Sequence, residues 1–228
     1  MKKYFVTLLI LFFVFNSYSQ ITLNSEKQVQ NGAGMLYIAK KGTVASFYSN
    51  GRVKSFYPKL DITVYDGNKR NYVAPAGKQV VFYEDGSLLS FYPKFNISVY
   101  DGKRRTYVAL ANKEVVFYND GTVKSFYPYR NYSVYDGNIR TYVALANKKV
   151  VFYKDGTVKS FYPYRDYSVY DGSFRTYVVL AGKELVFYKD GNIKSFCPKK
   201  DTYIYINGKR ILFKAGKRVN LDPKGNPL

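Results

Sequence analysis

Acidic, basic and aromatic side chains crowd into VVFYKDGTVKSFYPYRDYSVYDG, residues 150–172. Two kinds of chemistry need such residues. Paired carboxylates can share general acid and base work. Tyrosines beside lysine or arginine can stack on sugars or clamp acidic groups. The carboxylate reading runs short of candidates. Eight of the 12 aspartates stand directly before a glycine and read as turn residues. Asp61, Asp166, Asp201 and Asp222 remain, with Glu26, Glu84, Glu114 and Glu184, and none lies in a catalytic motif. The chain has no histidine, the commonest general base and metal ligand. The Asp-x-Asp spacing of calcium loops is absent. The lone Cys197 forms no intramolecular disulfide and reads as a drifted repeat position, since other units carry Tyr there. The expectation is a protein that is not an enzyme and needs no cofactor or metal.

The elements that position these residues are copies of one another. SFYP occurs at Ser55, Ser90, Ser125 and Ser160 and returns as SFCP at Ser195, always 35 residues on. VYDG keeps the same step at Val64, Val99, Val134 and Val169. Units 115–149 and 150–184 differ at only seven of 35 positions, so they must share one fold. Inside each unit lies a second similarity. FYKDGTVKSFY (152–162) and VYDGNIRTYV (134–143) both read aromatic, turn, basic, Ser or Thr, aromatic. Asp-Gly or Asn-Gly between alternating Val, Phe and Tyr is a strong hairpin signal. Each 35-residue unit is therefore two hairpins. Asn stands for Asp at 31, 50 and 207, which suggests that the carboxylate itself is dispensable. Two connectors alternate between hairpins. One carries Pro58, Pro93, Pro128, Pro163 or Pro198, where proline ends ladder pairing. The other reads Ala-Gly-Lys or Ala-Asn-Lys, and the exchange of Gly with Asn marks a left-handed backbone position.

The fold expected is all-β, an open array of antiparallel β-hairpins built from 35-residue tandem repeats, with a small-bladed propeller as the alternative. Residues 1–19 read as a signal peptide: Lys2 and Lys3 precede the short apolar run Tyr4 to Phe15, and small Ser17 and Ser19 follow. Residues 20–36 read as an N-terminal cap or degenerate repeat, 37–208 as the tandem repeats and 209–228 as a degenerate C-terminal cap. The mature chain is expected to be exported to the periplasm, cell surface or medium, with no transmembrane span. Without Lys2 and Lys3 it carries 34 basic and 16 acidic residues, a formal +18. Such an excess favours polyanionic partners.

Strand alternation assigns faces. A three-residue loop with a glycine bulge in the first hairpin puts Tyr118 and Lys124 on one face, and Val115, Phe117 and Val123 on the other. A two-residue turn at Asp136-Gly137 puts Tyr135, Arg140 and Tyr142 together, opposite Val134 and Val143. The expected ligand-binding face is thus built from Tyr83, Tyr118, Lys124, Tyr153 and Lys159 of the first hairpins. The second hairpins supply Tyr100, Arg105, Tyr107, Tyr135, Arg140, Tyr142, Tyr170, Arg175 and Tyr177. The Asp-Gly tips should lie on one edge, and the basic connectors on the other.

FYKDGTVKSF resembles the YYxDGxxxS hairpins of MORN-repeat variants in bacterial proteins, and is also similar to the WYYxxxDGxxxTGW hairpins of choline-binding and clostridial toxin repeats. The first resemblance implies extended hairpin sheets that act as scaffolds or membrane-associated modules. The second implies cell-wall or glycan recognition between aromatics of successive hairpins. The chain departs from both, with its 35-residue period and its lack of Trp. Residues and resemblance together point to an exported module that binds an anionic polysaccharide or other polyanion. The alternative is a scaffold that meets a protein partner through its hairpin edges.

Overall fold

A computed structural model describes residues 19–228 apart from 69, 104, 138–139, 172–174 and 207–208, and without the side chains of 205 and 206. The expected signal peptide, except for Ser19, and the turn glycines 172 and 208 lie outside the described residues. The two hairpins of each unit go to different layers. The FYxDG hairpins join edge to edge into one 12-stranded antiparallel sheet. Its strands run in the order Ser19–Thr22, Val44–Phe47, Val53–Phe56, Val80–Phe82, Leu88–Phe91, Val115–Phe117, Val123–Phe126, Val150–Phe152, Val158–Phe161, Leu185–Phe187, Ile193–Phe196 and Val219–Asn220. The VYDG hairpins stay separate as six two-stranded pieces, which we term cover hairpins. They are Lys27–Gln30 with Leu36–Ala39, Ile62–Tyr65 with Asn71–Ala74, Ile97–Tyr100 with Thr106–Ala109, Tyr132–Tyr135 with Thr141–Ala144, Tyr167–Tyr170 with Thr176–Val179, and Thr202–Ile206 with Lys209–Phe213. The architecture is the open array rather than the propeller. The first cover hairpin starts inside the segment read as an N-terminal cap, and Val219–Asn220 adds the last sheet strand inside the C-terminal one.

The core lies between the two layers. Phe117 and Val123 face each other across a sheet hairpin, and both are fully buried. A bulge follows, because Phe117 pairs with Val123 while Val116 pairs with Ser125. Lys124 and Ser125 then both avoid the core side, and Phe126 returns to it. This explains how two apolar neighbours of one strand, Val123 and Phe126, can both be core without strict alternation. Tyr37, Tyr72, Tyr107 and Tyr142 of four cover hairpins each wedge between two sheet phenylalanines, and Tyr177 packs between sheet Phe196 and Phe213 of the last cover hairpin. Tyr72 sits 5.6 Å from Phe91 and 5.7 Å from Phe117, and Tyr107 sits 5.5 Å from Phe126 and 5.4 Å from Phe152. Such aromatic pairs add about 0.5–1.5 kcal/mol each beyond their burial.

The connectors also pair. The Gly77, Asn112, Asn147 and Gly182 amides donate to the carbonyls of Pro58, Pro93, Pro128 and Pro163, at 2.8–2.9 Å. Asn112 and Asn147 take φ of 59°, and Gly77 and Gly182 take 69° and 68°, the left-handed position that the Gly–Asn exchange marked. Both connector types share one edge. At the other edge the cover tips pack against the sheet tips.

Candidate functional site

The expected face divides in two. Sheet hairpins carry Tyr and Lys on the side away from the core. Cover hairpins carry Tyr and Arg on the far side of the other layer. The lysine and arginine columns therefore lie on opposite surfaces, with the core between them.

On the sheet surface Tyr83, Tyr118 and Tyr153 are half-buried. Their hydroxyls donate to the carbonyls of Phe117, Phe152 and Phe187 at 2.9, 2.9 and 2.8 Å, tying each unit to the next. Tyr48 and Tyr188 make the same bond to Phe82 and Leu221. The Lys124, Lys159 and Lys194 ammonium groups sit 5.7, 5.6 and 5.3 Å from the ring centres of Tyr118, Tyr153 and Tyr188. All three lysines are exposed. Each unit adds two strands, so successive lysines are spaced by roughly 9.5 Å.

On the cover surface Arg70, Arg105 and Arg140 stack over Tyr100, Tyr135 and Tyr170 of the following hairpin, at 5.2, 5.4 and 5.7 Å. Tyr100, Tyr135 and Tyr170 are half-buried. Arg175 approaches Asp171 at 4.0 Å and donates to the Gly225 carbonyl at 3.4 Å.

Tyr107, Tyr142 and Tyr177 do not belong to either surface. They are only 2, 3 and 2% exposed and form the core wedges. The physical reason is register. The expected two-residue turn would align Tyr142 with Tyr135, yet Val134 pairs with Tyr142 and Tyr135 with Thr141. The closing pair is Asp136 with Arg140. An odd shift in register sends the second strand's side chains to the other face. Val143 moves outward in exchange and lies opposite Ser133.

The aspartates of these cover tips are also more than turn residues. Asp66, Asp101, Asp136 and Asp171 are at most 2% exposed. In Asp101 one carboxylate oxygen accepts from the amides of Lys103 and Arg105, at 2.8 and 3.2 Å, and the other accepts from the Tyr107 hydroxyl at 3.1 Å. The sheet-tip aspartates differ. Asp120 is exposed and accepts from the amide and hydroxyl of its own turn residue Thr122. The doublet of hydrogen-bond roles was hidden because both tips read Asp-Gly. The tyrosine six residues after the cover aspartate distinguishes them, as do Ser87, Thr122 and Thr157 two residues after the sheet-tip aspartates.

Burial, and then the charge of Asp171, raise the Tyr177 hydroxyl to about 12. Tyr107 and Tyr142 are raised by burial and by Asp101 and Asp136 in the same way. A tyrosine whose folded value exceeds its unfolded value of ~10 stabilises the fold below that pH, and this stability is lost as pH rises through the folded value. The contribution of Tyr177 to stability is expected to be constant up to about pH 10 and to be lost between about 10 and 12. Tyrosinate absorbance and circular dichroism followed together check this. The core tyrosines should ionise only as the fold is lost.

The connector edge holds exposed Lys59, Lys78, Lys94, Lys113, Arg130, Lys148, Arg165, Lys183 and Lys199. Some are neutralised locally, as in Lys94 with Asp61 at 2.5 Å and Lys199 with Asp166 at 2.6 Å. Among the described residues no cluster of His, Cys, Asp and Glu could hold a metal ion, and no helix is long and apolar enough to cross a membrane. Fold and surfaces define a hairpin-repeat protein with two cationic, tyrosine-backed faces. No protein-family model and no curated protein matches the chain.

Proposed function

We propose that this is an exported, non-catalytic repeat protein that binds an anionic polysaccharide or similar polyanion at the cell surface. The observation that carries the reading is the sheet-surface row of exposed Lys124, Lys159 and Lys194, each over a tyrosine whose hydroxyl is pinned to the next unit. The row is rigid and evenly spaced, so a flexible anionic chain gains several weak contacts from one alignment. The choline-binding-type resemblance supports it, since it implies cell-wall or glycan recognition between the aromatics of successive hairpins. The test is binding to heparin, a sulfated polysaccharide, by calorimetry. At about 1 kcal/mol per lysine near an anionic surface, Lys124→Glu, Lys159→Glu and Lys194→Glu together are expected to weaken binding by roughly a hundredfold. The wild-type affinity should fall with salt. Undiminished binding by the triple variant would remove this reading.

One observation favours a second reading, a scaffold assembled through its edges. Strand Ser19–Thr22 ends the sheet with all four residues exposed, and among the described residues no strand pairs with its outer side. The opposite end is closed by its own chain, where the Leu228 amide donates to the Asn220 carbonyl at 3.0 Å. Unpaired edges are templates for strand addition. Concentration-dependent assembly in light scattering would favour this reading, and a strict monomer would count against it.

A further inference from the structure

The cover layer carries clefts between successive cover hairpins, and their walls change along the array. The N-terminal one, about 240 Å³, is lined by Leu36, Ile38, Leu60 and Ile62 among others. Seventy residues on, the equivalent cleft is about 490 Å³, and its walls are Arg105, Thr106, Tyr107, Arg130, Asn131, Tyr132 and Ser133. Leucine at 36 and 60 has become threonine and arginine. The cleft holds two guanidinium groups and no carboxylate.

We propose that this Arg105–Arg130 cleft is a discrete oxyanion site, taking a sulfate, phosphate or carboxylate group carried on a sugar or polymer. The inference shares the polyanion chemistry of the proposed function but places a specific subsite on the opposite surface, away from the lysine row. Three features carry it. The first is Arg105. Its Nη1 is buried and is the single side-chain polar atom so placed without a hydrogen-bond partner among the described residues. Tyr135 stacks against its guanidinium at 5.4 Å and holds it in place. A buried charged donor without a partner is costly, and an anion entering the cleft offsets part of that cost by charge. The second is Arg130, which is exposed and braced over Tyr132 at 5.2 Å. Tyr132 accepts the Val108 amide at 3.1 Å through its hydroxyl oxygen, which leaves the hydroxyl proton to donate.

The third feature is the comparison among units. The next unit keeps both arginines, as Arg140 and Arg165, but has Asp166 where this one has Asn131. Asp166 accepts the Ala181 amide at 2.8 Å, and Asn131 accepts the Ala146 amide at 2.8 Å, so the two residues do the same structural work. The difference is charge. Asp166 also binds Lys199 at 2.6 Å and brings a carboxylate beside Arg165. The preceding unit pairs Arg70 with Phe95, and the last pairs Arg175 with Lys200 and Asp201. Arg105 with Arg130 is the one doubly cationic position that lacks an acid next to its second cation.

That arrangement supplies its own control. Asn131→Asp keeps the turn hydrogen bond, as Asp166 demonstrates, while it places a negative charge against the cleft. Full-length protein is titrated with inorganic sulfate, inorganic phosphate and glucuronate, read by amide shifts of Thr106 and residues 130–133. At least one probe is expected to bind saturably there, and N131D and R130Q each should weaken it tenfold or more. D166N should create a second site at Arg140 and Arg165. The triple lysine variant should leave this binding unchanged, which separates a failure here from a failure of the lysine-row reading. Response to sulfate and phosphate alone marks an ester-bearing ligand, and response to glucuronate extends the site to uronic acids. No saturable shift with any probe, or equal shifts in correctly folded N131D, would overturn the proposal.

Discussion

Asp101→Ala is expected to destabilise the protein by about 3 kcal/mol, and Asp101→Asn by about 1 kcal/mol. Asp101 is 2% exposed and receives three donors, the amides of Lys103 and Arg105 and the Tyr107 hydroxyl. Alanine leaves all three without this acceptor at a buried tip. Each buried donor left unsatisfied costs about 1–3 kcal/mol, moderated where water reaches the loop. Asparagine preserves the acceptor oxygen for the two amides. Its amide nitrogen can donate to the Tyr107 hydroxyl oxygen. The chain already shows that asparagine can work at this position. Asn31, at the first cover tip, is 2% exposed, accepts the Met35 amide at 2.9 Å and donates to the Gly86 carbonyl at 3.1 Å. Asp120→Ala serves as the control, because that carboxylate is exposed, caps its own turn and otherwise makes a solvent-exposed ion pair with Lys154 at 3.7 Å. It should cost about 1 kcal/mol or less. Urea unfolding midpoints at constant slope give the ranking. If D101A costs no more than D120A, the buried tip aspartate does not have the role assigned to it.

The same pair of aspartates shows what the sequence could and could not disclose. The 35-residue period, the hairpins and the two connector types were legible because each rests on local chemistry. Proline stops pairing at 128 and 163, and Gly or Asn adopts positive φ at 112, 147 and 182. The sheet-hairpin faces were legible too. Phe117 and Val123 go inward and Tyr118 stays with Lys124, because the bulge was readable from the extra residue before Asp-Gly. Register in the cover hairpin was not legible. SVYDGNIRTY fits a two-residue turn as well as the wider one, and the choice is made by the Asp136 carboxylate accepting the Arg140 amide at 3.2 Å. That bond carries Tyr142 from the expected binding face into the core. The separation into layers was also hidden. Both hairpins have similar strings, but the sheet hairpin offers phenylalanines from both strands, at 117 and 126, while the cover hairpin offers Val134 and Tyr142. Long-range packing, not local pattern, decides which hairpin joins its neighbours.

Gly156→Ala is expected to be among the most damaging single-methyl additions in the chain, and Gly182→Ala to be mild. Both glycines sit in turns at positive φ, 79° and 68°. Backbone conformation alone therefore costs alanine a similar amount at each, about 1–2 kcal/mol. Their surroundings differ. A Cβ at Gly156 would lie 2.5 Å from the Asp101 carbonyl oxygen and 3.2 Å from the Lys103 side chain, whereas at Gly182 nothing lies within 4 Å. The obstacle at Gly156 is backbone, held by the hydrogen bonds that fix the Asp101 tip, so it cannot swing aside. To admit the methyl group, the sheet tip must separate from the cover tip. That movement loosens the packing of Tyr107 against Phe126 and Phe152. The expected cost is about 3 kcal/mol or more for G156A against about 1 kcal/mol for G182A. Gly182→Asn should be nearly neutral, since Asn112 and Asn147 hold the same position at φ 59°. Thermal and urea unfolding of the three variants rank them. Equal losses for G156A and G182A would mean that the two rows of tips are not in contact, and that the layers are held together by the aromatic core alone.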